Sequence, residues 1–236
     1  MRIKIPDTTT GHFGPLAEQE EQWLALASPG TQVRVVPAAK GPETIECIYD
    51  TAMCVPWLLE EIRKAEEEGF DAVLVPCMAD PGLHAAREIS NIPVVGLAET
   101  SFLLAIALGH RFSIMQLMDE GIALARQLLL TYGFQHFLAS IRVLNLSVNE
   151  ISADQNKLRE AIVREGRKAV DEDGADVIVM SCGFMSGIAK DIEEVLGVPV
   201  IDPNAAGLRF TELLVNLGLS HSKRAYMTPP PKRIDI

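Results

Sequence analysis

Cys77 and Cys182 are the residues whose type and placement can do chemistry. Cys77 ends the segment Gly69-Phe70-Asp71-Ala72-Val73-Leu74-Val75-Pro76-Cys77, and Cys182 ends Gly174-Ala175-Asp176-Val177-Ile178-Val179-Met180-Ser181-Cys182. Gly, Asp and Cys hold the same offsets in both segments. Each copy then runs through a helical stretch into a Pro-Val step, Pro93-Val94-Val95-Gly96 and Pro199-Val200-Ile201-Asp202. A thiolate is a general base and a thiol a general acid. A single free cysteine at a strand end is usually a small buried hydrophobe. Two at equivalent places of an imperfect repeat point instead to chemistry on two faces of one bound molecule.

The elements that must position them follow from hydrophobic period. The first half reads as a strand at Ile3–Ile5, a loop from Pro6 to Gly14, a helix over Leu16–Ala27 with Pro15 suited to its first turn, and a strand at Val33–Val36. A loop over Ala38–Asp50 leads to a helix over Ala52–Glu68, expected to begin or kink near Pro56. The apolar run Asp71–Pro76 reads as a strand buried on both faces, followed by a helix over Pro81–Ile89 and a strand over Pro93–Gly96. After a linking helix over Glu99–Leu108 the order repeats: strand Arg111–Met115, helix Glu120–Tyr132, strand Ile141–Leu144, helix Asp154–Val170, strand Asp176–Met180, helix Ser186–Leu196 and strand Pro199–Ile201. A last helix, Ala205–Leu217, is expected to pack back on the first half. Such alternation implies parallel sheets. The expected fold class is α/β: two doubly wound parallel-sheet domains related by a pseudo-twofold, residues 1–97 with 205–236 and residues 98–204, facing each other across a cleft. Ligands bind beyond the carboxyl ends of parallel strands, and both cysteines fall there, each just before a predicted helix. Forming a thiolate at pH 7 costs about 2 kcal/mol at an ordinary thiol pKa, and a helix N-terminus offsets on the order of 1 kcal/mol of that.

Composition narrows the function. The 236 residues are 48% hydrophobic and 22% charged, ordinary for a soluble globular protein. A net charge of −11 argues against nucleic acid as a partner. The basic cluster Lys223, Arg224, Lys232 and Arg233 around Pro229–Pro231 is expected to be a solvated tail or a subunit-contact arm. There is no apolar run long enough to span a membrane and no secretory signal pattern, so the expected location is the cytoplasm, with its cysteines reduced. The cysteine spacing does not suit a zinc site, and no phosphate-binding loop follows the first strand. No metal and no cofactor is expected. Cys47, in a loop, and Cys54, at a helix start, have no repeat partner and read as structural. The five histidines read as surface or capping residues, with His12 the one whose loop faces the cleft.

Beyond these residues the chain resembles the aspartate/glutamate racemase superfamily, and within it the hydantoin and allantoin racemase branch, over nearly its whole length. Pro76-Cys77-Met78-Ala79-Asp80-Pro81-Gly82-Leu83 and Ser181-Cys182-Gly183-Phe184-Met185 carry the likeness, supported by Gly41-Pro42-Glu43-Thr44-Ile45-Glu46 and Gly197-Val198-Pro199-Val200-Ile201-Asp202. The resemblance implies an isomerase without cofactor or metal, a small-molecule substrate and a homo-oligomer. It implies that Cys77 and Cys182 serve as a two-base pair, one taking the α-proton and the other returning a proton on the opposite face. The backbone N–H groups of Met78, Ala79, Gly183 and Phe184 become candidates for stabilising the enolate-like intermediate. Asp7, Thr8, Gln116 and Leu117 are expected to line the pocket, with Ile45 closing one side.

Three departures from that pattern bear on the substrate. Ile5-Pro6-Asp7-Thr8 stands where Asn-Pro-Asn-Thr is usual, so Asp7 repels an anion and prefers an N–H donor or a cation. Gln116 and Leu117 stand where paired threonines bind substrate, and Phe184 where a small residue is common. Together they favour a bulkier or less carboxylate-like substrate than free aspartate or glutamate. The expected reaction is racemisation of a 5-substituted hydantoin or related ureide. An amino-acid racemase, a maleate isomerase or arylmalonate decarboxylase-like enzyme, and a non-catalytic binding protein on the same fold stay open beside it.

Overall fold

The computed structural model describes residues 1–11 and 14–233, so His12 lies outside the described residues. Four strands, β1 (Arg2–Pro6), β2 (Gln32–Val36), β3 (Ala72–Val75) and β4 (Val94–Gly96), form one sheet in the order β2-β1-β3-β4. Another four, β5 (Phe112–Gln116), β6 (Leu138–Val143), β7 (Val177–Met180) and β8 (Val200–Ile201), form a second in the order β6-β5-β7-β8. Every pairing is parallel. The two orders are the same, so β3 and β7 hold corresponding places, and every residue of both strands is buried. The fold is α/β with two parallel-sheet halves.

The helices are α1 (Leu16–Leu26), α2 (Ile48–Ala65), α3 (Leu83–Ile89), α4 (Leu97–Leu108), α5 (Gly121–Tyr132), α6 (Val148–Ala153), α7 (Gln155–Asp171), α8 (Ala189–Leu196) and α9 (Pro203–Asn216). Helices α1, α4, α5 and α9 share one core with the facing sides of both sheets. That core joins Ile3, Ile5 and Leu74 of the first half to Phe112, Ile114, Val177 and Val179 of the second. Phe102 of α4 stacks on Phe112 with centroids 5.4 Å apart. Helix α9 packs against α1, α4, β3 and β4, and its Glu212 accepts from Ser28 N and Thr31 Oγ1, both at 2.7 Å.

Several boundaries differ from those read from the sequence, each for a local reason. Helix α2 neither begins at Pro56 nor waits for Ala52; it starts at Ile48. The Asp50 carboxylate accepts from the N–H groups of Glu46 and Cys47 and fixes the first turn. Pro56 is exposed, and so is Ala52, whose carbonyl loses its helical partner. Water can satisfy that carbonyl while Cys54, Leu58, Ile62 and Ala65 hold the buried face. Cys54 therefore sits inside α2 rather than at its start, and Cys47 is its N-cap. Pro15 is the N-cap of α1 rather than a first-turn residue. Helix α6 was not anticipated, although Ser147-Val148-Asn149-Glu150 spells a capping box: Ser147 Oγ accepts from Glu150 N, and the Glu150 carboxylate accepts from Ser147 N at 3.0 Å.

The C-terminal segment is neither a free tail nor a solvated basic patch over residues 220–226. β4 is an edge strand, and His221 Nε2 lies 3.0 Å from the N and 2.9 Å from the O of Val94, accepting from the N–H in one tautomer and donating to the carbonyl in the other. Lys223 Nζ donates to the carbonyls of Arg87 and Glu88 at the end of α3. Burial pushes the His221 imidazole down to about 4, so it stays neutral at pH 7. On the outer face of β1, Lys4 is 1% exposed and pairs with Glu61 at 3.0 Å and Glu68 at 2.7 Å.

Two expected outcomes follow. Lys4→Ala leaves the buried Glu61 with Lys64, at 2.9 Å, as its remaining cation and costs about 1.5–3 kcal/mol by denaturant unfolding, whereas Lys4→Met with Glu61→Leu recovers most of that loss. Equal losses in the single and double variants would contradict the pairing.

Candidate active site

The cavity that matters lies between the halves, where the carboxyl ends of the strands meet. It has a volume of about 180 Å³, and both Cys77 and Cys182 line it. Each follows its strand by two residues, Cys77 after β3 and Cys182 after β7, so the repeat delivers one thiol to each wall. The cavity is also lined by Asp7, Thr8, Ile45, Met78, Ala79, Gln116, Leu117, Gly183 and Phe184. All the pocket residues named from the sequence are thus brought together.

The local backbone departs from the expectation of a helix opening at each thiol. After Cys77 comes a turn in which Asp80 (φ 43°) and Gly82 (φ 63°) occupy the left-handed region, and α3 starts only at Leu83. After Cys182 comes a 3-10 turn, Gly183–Met185, then Gly187 at φ 90°, and α8 starts at Ala189. Positive φ interrupts an α-helix in both loops. The macrodipole argument therefore does not apply; each sulfur instead receives a single backbone amide. Ala79 N donates to Cys77 Sγ at 3.4 Å, and Phe184 N donates to Cys182 Sγ. The Thr8 hydroxyl is placed to donate to Cys77 as well.

These donors do not outweigh burial. Desolvation pushes the Cys77 thiol up to about 11, with the Asp80 carboxylate adding to the rise against Ala79 and Thr8. It pushes Cys182 up to about 12, with Cys77 and Glu46 adding to the rise. The expected bias toward thiolate is thus reversed. The two sites also feel each other, so charge on one opposes charge on the other. Asp7, beside them, is pushed up to about 6 by burial. Cys54, buried beneath and hydrogen-bonded to Thr51 O at 3.2 Å, is pushed up to about 12 by burial and by Cys77.

An aspartate ties each cysteine loop to the helix that follows the next strand. In the first half it stands on the loop: Asp80 accepts from the N–H groups of Ala98 and Glu99 in α4 at 2.9 and 2.8 Å, and from Tyr132 Oη of α5 at 2.8 Å. The close approach requires Gly96, where a Cβ would lie 2.5 Å from the Asp80 carboxylate. In the second half the aspartate stands on the helix. Asp202 caps α9 through Asn204 N and Ala205 N, and reaches back to Ser186 Oγ and Gly187 N, both at 2.8 Å. The same tie is made from opposite ends in the two copies.

Residues that the sequence reading did not single out complete the walls. Trp23, Phe102 and Leu128 supply apolar surface, and Glu46, Ser181 and Asn204 supply polar groups. Glu46 Oε1 accepts from Val148 N at 3.1 Å, joining the loop before α2 to the start of α6 across the two halves. The helices between the sheets form part of the cavity, which periodicity within one helix does not reveal. Among the described residues no group of three or more His, Cys, Asp or Glu side chains is placed to hold a metal ion, and no helix is long and apolar enough to cross a membrane.

Residues 17–211 match the family model described as Asp/Glu/Hydantoin racemase. The chain belongs to that family. Among curated proteins it is 39% identical to a hydantoin racemase of Pseudomonas sp. (strain NS671), covering 98% of this chain and 93% of that one. It is 35% identical to a hydantoin racemase of Paenarthrobacter aurescens, covering 99% of each. Among solved structures it superposes on allantoin racemase from Klebsiella pneumoniae with a TM-score of 0.92 at 33% identity, covering 100% of this chain and 96% of that one. As a member of the Asp/Glu/hydantoin racemase family the protein is an isomerase of the racemase kind.

Alkylation by iodoacetamide reads the raised thiol pKa values, because only the thiolate reacts. The rates at Cys77 and Cys182, followed by peptide mass spectrometry, are expected to climb through pH 10 without levelling. A plateau near pH 9 would show ordinary thiols. Tyr132→Phe, which deletes one bond to the buried Asp80 carboxylate, is expected to cost about 1.5–3 kcal/mol of stability by denaturant titration; no loss would sever the tie drawn above.

Proposed function

We propose that the protein is a cofactor-independent racemase of 5-substituted hydantoins or a related cyclic ureide, with Cys77 and Cys182 as its acid and base. The observation that carries this reading is that the repeat brings one half-buried thiol from each half to a single small cavity. The relatives' names, hydantoin and allantoin racemase, agree with it.

In the proposed reaction one sulfur, as thiolate, removes the proton from the chiral carbon, and the thiol on the opposite wall delivers its own proton to the other face. The second enantiomer uses the same pair with the roles exchanged. Mutual repulsion between the sulfurs disfavours the doubly ionised state, so when one has lost its proton the other stays a thiol, which is the pairing each turnover needs. A thiolate at Cys77 costs about 5 kcal/mol at pH 7. A high pKa also makes each thiolate a strong base toward a weakly acidic C–H and keeps its partner protonated. The ring carbonyl next to the chiral carbon acidifies that C–H, so the chemistry calls for no electron sink. Since the Ala79 and Phe184 amides already bond to sulfur, the Met78 and Gly183 amides are the better candidates for the enolate oxygen.

Asp7, Thr8, Ile45, Gln116 and Leu117 set the selectivity in this reading. An ionised Asp7 opposes a substrate carboxylate and accepts from an N–H, which speaks for a neutral ureide over free aspartate or glutamate. Four free thiols suit a reducing cytoplasm.

The test is incubation of single enantiomers of slowly racemising 5-alkylhydantoins in deuterated water, following optical rotation and deuterium at the chiral carbon. Wild type is expected to racemise both with deuterium uptake. Cys77→Ser and Cys182→Ser should each lower racemisation by on the order of 10²–10⁴, with any residual exchange confined to one enantiomer, opposite in the two variants. Racemisation that survives both substitutions, or turnover of malonates or maleate in its place, would overturn the assignment.

A further inference from the structure

The two copies of the repeat differ where they meet the cavity. Immediately before its cysteine the first copy has Pro76 and the second has Ser181; at the fifth residue after the Pro-Val proline the first has Ala98 and the second Asn204. Ser181 and Asn204 both line the cavity. Ser181 Oγ and Asn204 Oδ1 are closed to water-sized contact and have no hydrogen-bond partner, so a ligand donor meets them only as the surrounding wall shifts on binding. The wall that carries Cys182 thus holds two unpaired polar side-chain atoms, and the corresponding positions of the Cys77 wall offer no polar side chain.

The orientation of the Asn204 amide is settled by its neighbour. Its Nδ2 donates to the Gly183 carbonyl at 3.1 Å; turning the amide over would set oxygen against oxygen. The backbone N–H of Asn204 is held by Asp202 at 3.0 Å. A Cβ on Gly183 would lie 2.9 Å from Oδ1, so glycine there is what lets the amide come this close to the Cys182 loop. What remains is a rigid acceptor, Oδ1, with no donor to fill it. A buried polar atom without a partner is rare and costly in a folded protein. In a binding cavity the missing partner is the ligand. An amide oxygen accepts only, so that ligand must bring a donor, and the donors of a cyclic ureide are its ring N–H groups.

We propose that Asn204 Oδ1 accepts a hydrogen bond from a ring N–H of the substrate, with the Ser181 hydroxyl beside it as a second polar contact, and that this pair makes an unsubstituted ureide N–H a condition of turnover. The inference rests on the functional reading above and deepens it. It orients the substrate with its N–H edge toward the wall of Cys182. It also gives a second reason, independent of Asp7, why a carboxylate is a poor fit: its oxygens would face an acceptor. Sites built around a substrate N–H reject analogues that lack it far more strongly than apolar pockets reject a missing methylene, because the protein's own group is then left unpaired.

The experiment compares a 5-alkylhydantoin with its N1-methyl and N3-methyl derivatives on wild type, Asn204→Ala and Ser181→Ala, reading the dissociation constant by calorimetry and kcat/KM by optical rotation. Methylation of one of the two nitrogens is expected to lower kcat/KM of wild type by at least about tenfold. In Asn204→Ala the parent should lose a similar factor while the methylated compound loses little further, so that the two losses are not additive. A smaller coupling of the same sign is expected for Ser181→Ala. If wild type takes both methylated compounds as well as the parent, the inference fails without recourse to a variant. Equal losses on all three substrates in Asn204→Ala would reduce Asn204 to support of the Cys182 loop and also overturn it. If the parent hydantoin neither binds nor racemises, the functional reading fails first; if it racemises without discrimination at nitrogen, only the present inference fails.

Discussion

Everything in this molecule turns on keeping two thiols in the walls of one small cavity, where both resist ionisation. Burial raises Cys77 and Cys182 to about 11 and about 12, and the charge of Cys77 raises Cys182 further. A lone thiol with that pKa would be inert. In the proposed reaction the coupling means that once one sulfur has ionised its partner stays protonated, so a strong base on one face is matched by a proton donor on the other. The single amide that each sulfur receives, from Ala79 or Phe184, holds it in place more than it acidifies it.

The scaffold serves that constraint through duplication. Each half ends a fully buried strand, β3 or β7, two residues before its cysteine, so the thiols inherit their placement from the most rigid parts of the two sheets. Irregular loops follow, and the loops are where precision is at risk. The aspartate ties answer that risk: Asp80 from the loop to the start of α4 and to Tyr132, Asp202 from the start of α9 back to Ser186 and Gly187. Helix α9 belongs by contact to the first half, yet its first turn holds the cysteine loop of the second. The halves are joined again at Glu46 and Val148. The two walls keep the thiol in common and differ in their polar neighbours, Ser181 and Asn204 against Pro76 and Ala98.

Much of this was legible in the sequence because the signal was repeated. Gly, Asp and Cys at equal offsets, with an apolar run between, mark a buried strand delivering a thiol, and a second occurrence removes most of the ambiguity. The resemblance to racemases then brought forward Asp7, Gln116 and Leu117, which do line the cavity. What escaped was of two kinds. Backbone sign changes at Asp80 and Gly187 broke the helices expected at the cysteines, and no hydrophobic pattern reports φ. Burial reversed the direction of the thiol shift, because the environment of a sulfur depends on helices α1, α4, α5 and α9 packed between the sheets. Ser181 and Asn204 were in principle visible as the places where the two copies disagree, Ser against Pro76 and Asn against Ala98. Helix α6 carried a capping box that periodicity alone passed over.

The proposed pairing of the two sulfurs across one cavity is open to direct measurement with dibromobimane, which becomes fluorescent on bridging two thiols, followed by peptide mapping. The bridge is expected between the peptides carrying Cys77 and Cys182, to be lost in either serine variant, and to be blocked when a hydantoin occupies the cavity. A bridge from Cys77 to Cys54 instead, or separate single adducts on Cys77 and Cys182 with no bridge between them, would contradict a shared proton-transfer site.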